Sequence, residues 1–251
     1  MDIYPKQFAF LIILLVFSGF VSQAQSLIAG IPSADAVHKG HLEYTHESQV
    51  NFWTTPNQTK WASFNFLCYG VGHGIEISAS VINLSNKNMN NLAAGIGFKK
   101  VHQFFKKDSV LSKWETKLTF GQNTFFSLQR PEVGGWVYSH ASIRVPYLKT
   151  RLTYGASYGS PIFFDVAWTE ENGILTRKND AIFCTLAGVE QPITKNFSLI
   201  ADWYSGNHGI AALITAVQVN VGHQTFIVGY KNLNTTPIEQ GSIILEAMIH
   251  F

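Results

Sequence analysis

The sequence predicts an all-β fold, a single antiparallel up-and-down barrel of about twelve strands. Apolar residues recur at every second position along most of the chain, which is the period of a strand whose two faces meet different surroundings. No part of the chain beyond residue 24 sustains helical spacing or a long continuous apolar run. Charged residues make up only 14% of the chain, against roughly 25% in typical soluble domains.

The N-terminus predicts a cleaved secretory signal peptide over residues 1–24. Its apolar run, residues 8–21, is shorter than the roughly 20 residues that a membrane-spanning helix needs. Lys6 precedes this run, and Ser22 and Ala24 supply the small residues of a cleavage site. An uncleaved anchor is the alternative. The β-barrel is then expected over residues 25–251.

Twelve segments with apolar and polar residues in alternation follow this peptide. Each is close to the roughly 9–11 residues that a tilted strand needs to cross a bilayer. Two of them are apolar on both faces, and a slip of one residue would exchange the faces of any strand. The segments are 41–52, 61–69, 74–82, 92–102, 114–128, 135–145, 150–159, 180–190, 196–205, 210–220, 224–231 and 242–251, of which 180–190 and 210–220 are apolar on both faces.

The two faces of most segments differ in polarity. In 74–82, for example, Ile75 and Ile77 lie on one face and Glu76 on the other. A membrane barrel turns its apolar face to lipid, whereas a soluble, lipocalin-like barrel turns that face inward. Alternation is the same in both, so other features must distinguish them.

The connections between the segments favour the membrane barrel. Long connections, at 51–60, 83–91 and 161–180, alternate with short ones, at 70–74, 146–149, 192–196 and 221–224. An outer-membrane barrel with both termini on the periplasmic side has long outer loops and short inner turns. The ends of the barrel are called the outer and inner rims below. One inner connection, 104–113, is longer than this pattern predicts.

Tryptophans near the strand ends also favour the membrane barrel, because aromatic girdles mark both membrane interfaces. Trp114 is expected at the inner rim. Four others are expected toward the outer rim: Trp53, Trp61, Trp136 and Trp203.

The chain ends within an alternating segment, on the aromatic residue Phe251. A closed barrel pairs its last strand with its first, so a terminal residue can be structural. Residues 243–251 resemble the C-terminal insertion signal of bacterial outer-membrane β-barrel proteins. This resemblance implies location in the outer membrane of a Gram-negative bacterium, contact with its lipid, and recognition of the C-terminal strand, with Phe251, by the barrel-assembly machinery.

The sequence contains two His-x-Ser pairs. The first, His46 and Ser48, is the candidate catalytic pair. Their spacing puts both side chains on one strand face, predicted to be the lipid face, where a histidine can deprotonate a serine. The pair resembles part of the H-x-S-N-G motif of the outer-membrane phospholipase A family, twelve-stranded barrels with a lipid-facing active site. That resemblance implies a base, His46, and a nucleophile, Ser48, in a lipid hydrolase.

This chain departs from the phospholipase motif in two ways. Gln49 and Val50 stand where the motif has Asn and Gly. Asn65 and Glu246, on the neighbouring strands, are both predicted to project inward, which leaves the histidine without an orienting partner. The sequence therefore favours a barrel that is not an enzyme and keeps the hydrolase as the alternative.

The second pair, His140 and Ser142, is predicted to face the barrel interior with Trp136, Tyr138 and Arg144. A similar run occurs in outer-membrane lipid A deacylases, but this chain lacks the Asn of that run and a matching acid. We therefore interpret the second pair as polar residues of the interior.

The predicted inward faces carry charges of both signs in a lumen narrower than that of 16- to 18-stranded porins. Such charges can pair across the lumen and fill it, or can line a path for small solutes. The leading interpretation is a narrow channel or transporter for small solutes, or a structural surface barrel. The residues are Glu43, Glu47, Glu76, Lys99, Glu115, Lys117, Arg144, Arg151, Glu190, Asp202, Lys231 and Glu246.

Other chemistry has little support in the sequence. A net charge of +2 gives no electrostatic footprint for a nucleic acid. Cys68 and Cys184 are interpreted as free thiols, since their spacing forms no disulfide framework or metal site. The histidines do not cluster, and no cofactor is indicated.

Overall fold

Twelve antiparallel strands close into one barrel in the computed structural model of the chain, which confirms the predicted fold class. The signal peptide expected over 1–24 lies outside the described residues. No helix within the described residues is long and apolar enough to cross a membrane. The structure describes residues 29–51, 60–83, 92–105, 110–129, 131–160, 168–171, 174–177, 182–208, 210–234 and 241–251.

Each predicted segment corresponds to one barrel strand. A short hairpin, β8 (Trp168–Glu171) and β9 (Ile174–Arg177), lies in the long connection, and a 3₁₀ helix (Val110–Trp114) lies in the inner connection that is longer than expected. The barrel strands are β1 (Leu42–Asn51), β2 (Lys60–Gly72), β3 (Ile75–Ile82), β4 (Ala93–Gln103), β5 (Lys117–Ser127), β6 (Val133–Arg144), β7 (Arg151–Gly159), β10 (Ile182–Pro192), β11 (Phe197–Tyr204), β12 (Ala212–Val221), β13 (Gln224–Leu233) and β14 (Ser242–His250).

Large apolar side chains cover the outward face of the barrel strands. Ile77, Phe120, Phe183 and Val228, each on a different strand, are all exposed. A closed barrel leaves no unpaired strand edge, and an apolar outer wall requires lipid around it. This is the arrangement of a membrane barrel, and it contradicts the soluble alternative.

The two strands that are apolar on both faces supply part of a core inside the barrel. Leu186 on β10 and Ile214 on β12 are buried inward, whereas Phe183 and Leu213 are exposed on the outer wall. The inward apolar side chains form one packed cluster. The pattern left these strands ambiguous because both their faces contact apolar surroundings.

Three of the five tryptophans predicted for the girdles are exposed, namely Trp61, Trp114 and Trp203. Trp136 was expected near the outer rim but is only 6% exposed. Its ring centroid lies 4.6 Å from that of Tyr138, which shares its inward parity on β6. Trp136 therefore belongs to the interior core. Trp53 lies outside the described residues.

The last residue of the chain closes the barrel. The Phe251 amide donates to the Leu42 carbonyl at 2.8 Å, and the Leu42 amide donates to the Phe251 carbonyl at 3.2 Å. The His41 ring nitrogen Nδ1 also lies 3.0 Å from the Phe251 carbonyl oxygen. Phe251 thus continues the β1–β14 ladder at the inner rim, and its ring is exposed on the outer wall.

Deleting Phe251 should lower the yield of folded barrel in refolding into detergent micelles or lipid vesicles. The deletion removes two backbone hydrogen bonds at the closing seam, worth roughly 1–3 kcal/mol together. The folded fraction is measured from the migration difference between heated and unheated protein on a gel. Tyr147→Ala, in an exposed inner turn, is the control; equal yields from both variants would contradict a closing role for Phe251.

Candidate functional site

The barrel interior contains the chain's own N-terminal segment, residues 29–40, which we call the internal segment. Its first residues are anchored to β11, because one carboxylate oxygen of Asp202 accepts the amides of Ala29, Gly30 and Ile31 at 2.8, 2.7 and 3.3 Å. The apolar side chains of Ala29 and Ile31 are fully buried in the interior cluster. This end of the segment lies in the outer half of the barrel.

The middle of the internal segment is held by ion pairs. The Asp35 carboxylate pairs with Lys117 on β5 and with Arg151 on β7. Arg151 also lies 3.7 Å from Glu190 on β10. Asp35 therefore joins β5 to β7 by pairing with one cation on each, and Arg151 extends the network to β10.

The internal segment leaves the barrel along β2 and β3 at the inner rim. The Val37 amide donates to Glu76 at 3.0 Å, and Glu76 pairs with Lys99 at 3.2 Å. Gly40 donates to the Gly70 carbonyl at 2.8 Å. Gly70 is required here, because a Cβ atom at this position would lie 2.0 Å from the His38 carbonyl oxygen.

Most charged side chains predicted to face the lumen lie on the buried inward face. This group comprises Glu43, Glu47, Glu76, Lys99, Arg151, Asp202 and Glu246. Two predicted residues lie at the inner rim instead: Arg144 and Glu115 pair at 3.4 Å, and each is about one third exposed. Glu115 follows the 3₁₀ helix rather than lying in a strand, because β5 begins at Lys117 and not at residue 114. Lys231 donates to Gln49 at 3.0 Å.

The position of residues 29–40 inside the barrel was not predicted from the sequence. Residues 29–40 show no alternation, and Asp35 is their only carboxylate. Their small residues fit a narrow space, since a Cβ atom at Gly30 would lie 2.6 Å from Ile214. This composition, between the predicted signal peptide and the first strand, is the one signal that could have indicated a segment inside the barrel.

A second candidate site lies on the outer wall, at His46 and Ser48. His46 Nε2 lies 3.0 Å from Ser48 Oγ, and His46 Nδ1 lies 2.9 Å from Asn65 Oδ1. The Tyr44 hydroxyl donates to the same Asn65 oxygen at 2.8 Å. The outer wall thus carries a connected serine, histidine and asparagine at the pairing of β1 with β2.

This position of Asn65 corrects the sequence prediction that it projects inward. The register pairs Asn65 directly with His46, and directly paired residues share a face. The more apolar face of β2, with Phe64 and Phe66, points into the barrel, so polarity alone assigns this strand the wrong way round. Glu246, the other neighbour considered, is buried on the inward face as predicted.

The second His-x-Ser pair is inside the barrel. His140 and Ser142 are 1% and 2% exposed. Among the described residues, Ser142 Oγ makes no hydrogen bond, so it is not joined to His140. The same residue types at the same spacing therefore form a connected pair on the outer wall and an unconnected one in the interior.

No protein-family model matches the chain, and no curated protein matches it. Among solved structures, the KdgM porin superposes with a TM-score of 0.50 at 10% identity, covering 84% of this chain and 99% of the porin. The translocator domain of the autotransporter NalP from Neisseria meningitidis gives 0.45 at 10%, covering 98% and 94%. The outer membrane protein Omp33 from Acinetobacter baumannii gives 0.45 at 9%, covering 84% and 98%.

The likeness to the KdgM porin concerns the fold alone, and it agrees with the closed barrel and its apolar outer wall. The chain therefore has the closed-barrel fold of a porin, with an outer wall suited to lipid. This likeness of fold gives no support to the lipid hydrolase alternative.

Gly70→Ala should displace the internal segment, because the added methyl group would overlap the His38 carbonyl. Trypsin should then cleave after Lys39, the only lysine or arginine of the segment, several times faster than in the unsubstituted protein. Mass spectrometry of the released peptide measures this cleavage. Gly135→Ala is the matched control, because the nearest atom to its added Cβ is 4.0 Å away. Equal cleavage of both variants would contradict the tight contact at Gly70.

Proposed function

We propose that the protein is a narrow channel for small solutes that its own N-terminal segment closes. The observation that carries this proposal is the way the segment is held: carboxylates on the wall bind its amides, and wall cations bind its single carboxylate, Asp35. When the segment withdraws, water molecules and salt ions can take the place of these hydrogen bonds and ion pairs. The wall left behind in the inner half carries charged side chains suited to a hydrated path.

The internal segment has only one direction in which to withdraw without breaking the barrel. It is continuous with β1 at the inner rim, where Gly40 and Gly70 pair. Its far end is held by Asp202 and by apolar contacts of Ile31. Withdrawal toward the inner rim therefore opens the outer half first and leaves every strand pairing of the barrel intact.

Deleting residues 25–40 should convert a silent barrel into one with discrete, salt-dependent conductance steps in planar bilayers. Asp35→Asn should have a weaker effect in the same direction, because it weakens the contacts to Lys117 and Arg151. Loss of charge-assisted hydrogen bonds worth about 1.5–3 kcal/mol corresponds to a rise of roughly 10- to 100-fold in the open-to-closed ratio.

Lys195→Gln, at an exposed inner turn, is the control for a change of charge alone. All variants are first checked for the gel migration of a folded barrel. If the folded deletion variant is as silent as the full chain, the protein is not a channel, and a structural surface barrel is the remaining interpretation.

A further inference from the structure

We propose that Lys117 and Arg151 form a binding site for the carboxylate group of a solute. A solute bound there opens the channel, because it takes the place of Asp35 on the two cations. The solutes of this class are small organic acids and short acidic peptides, which share the carboxylate. This inference rests on the proposed channel and names the class of solute that the channel takes up.

The two cations hold the two oxygens of one carboxylate. Lys117 Nζ pairs with Asp35 Oδ1, and Arg151 Nη1 pairs with Asp35 Oδ2. Each oxygen therefore has its own cation, which a carboxylate satisfies and a monatomic anion such as chloride does not. Hydrogen bonds between charged partners are roughly twice as strong as those between neutral groups. The structure thus contains the site with a carboxylate bound in it, supplied by the chain itself.

Both cations are largely buried. Lys117 begins β5 and Arg151 begins β7, and their side chains are 14% and 5% exposed. A buried cation is costly unless an anion pairs with it. When Asp35 moves away, this cost falls on both cations. A solute carboxylate removes the cost, whereas a neutral solute does not.

The charges around the site leave room for one negative charge. Arg151 lies 3.7 Å from Glu190, and Lys117 has Asp35 as its only carboxylate partner within the described residues. Withdrawal of Asp35 therefore leaves the surrounding wall with one positive charge in excess, which matches a carboxylate better than a doubly charged sulfate. The wall side chains counted here are Lys117, Arg144, Arg151, Glu115 and Glu190.

The site lies on the path that the internal segment occupies. Lys117 and Arg151 are at the inner-rim ends of their strands, so the site is in the inner half of the barrel. The internal segment passes it with small residues on either side of Asp35, namely Ala34 and Ala36. The path that the segment leaves therefore fits a small acid or a peptide of small residues.

Opening by the solute follows from competition for the two cations. Asp35 and a solute carboxylate cannot both occupy them, so the solute binds only the open form. Its binding multiplies the open-to-closed ratio by one plus its concentration divided by its Kd, which is about 11-fold at ten times the Kd. A solute that binds neither form better leaves the ratio unchanged. The channel would therefore open in the presence of its own solute.

Two variants that break the same ion pair from opposite sides test the site in planar bilayers. Asp35→Asn removes the carboxylate and keeps both cations, whereas Lys117→Gln removes a cation and keeps the carboxylate. Both should raise basal opening, because both weaken the same contact. Replacing chloride with acetate at constant ionic strength should raise the open-to-closed ratio of Asp35→Asn by roughly tenfold, and that of Lys117→Gln by no more than about twofold.

The same measurement with other solutes identifies the source of the carboxylate. The capped peptide Ser-Ala-Asp-Ala copies residues 33–36, and its analogue with Asn in place of Asp is the matched control, which should have no effect. A response to acetate and to the peptide would assign small carboxylates in general, and a response to the peptide alone would assign acidic peptides. Equal responses to sulfate and acetate would overturn the proposal, because the site would then recognise charge alone.

Trypsin cleavage after Lys39 reports withdrawal of the segment without any conductance. In the full chain in detergent, acetate or the peptide should accelerate this cleavage several-fold in Asp35→Asn and should leave Lys117→Gln unchanged. Lys195→Gln, which changes a charge away from the site, should respond like the unsubstituted protein.

The two readouts separate failure of the site from failure of the channel. If the folded variant lacking residues 25–40 conducts, but neither solute changes the opening or the cleavage of Asp35→Asn, the carboxylate site is overturned and the channel stands. If no variant conducts and the cleavage of Asp35→Asn still responds to carboxylates, the site stands and the channel proposal is wrong.

Discussion

The pairing of β14 with β1 is the constraint on which the rest of the structure depends. In lipid every backbone amide and carbonyl must be satisfied within the protein, and a sheet meets that condition only when its edges join. The ladder runs from the Glu43–His250 pair to the Val50–Ile243 pair, and Phe251 extends it by two further bonds to Leu42. Closure fixes the register, and the register decides which side chains face lipid and which face the interior.

Closure also creates an interior that the strands alone do not fill. Inward charges there are costly unless they have partners, and cross-strand pairs such as Glu76 with Lys99 satisfy only some of them. The internal segment supplies partners from outside the sheet: three amides for Asp202 and a carboxylate for Lys117 and Arg151. The contacts that neutralise the wall also hold the internal segment in place. Removing the segment is therefore expected to change both the stability of the barrel and its conductance.

The alternation of the sequence was enough to predict the strand number, the strand positions and the chain closure at Phe251, since a membrane barrel imposes its two environments on every strand. It failed where both environments are apolar. On β2, Phe64 and Phe66 fill the interior while Ser63 and Asn65 face outward, the reverse of what polarity indicates. Trp136 was likewise predicted for the girdle from its distance to a strand end, although its parity places it inside.

The candidate site was harder to predict than the fold for a related physical reason. A hydrogen bond between β1 and β2 depends on the register of two strands, and their connection, 52–59, is too long for turn chemistry to fix that register. The partners of His46 therefore could not be read from one strand. The internal segment has no periodic signal, because four of its amides bind carboxylates of the wall and it pairs with a strand only near its end, where Gly40 binds Gly70.

The internal segment and the hydrogen-bonded group of His46, Ser48 and Asn65 lie on opposite faces of one sheet. The internal segment forms its backbone hydrogen bond to β2 at Gly70, whereas Asn65 is five residues away along the strand, about 16 Å toward the outer rim. Between these points β2 is paired on both sides, with β1 and with β3. Withdrawal of the segment would change what the inner face contacts while the cross-strand pair of His46 with Asn65 stays in the ladder.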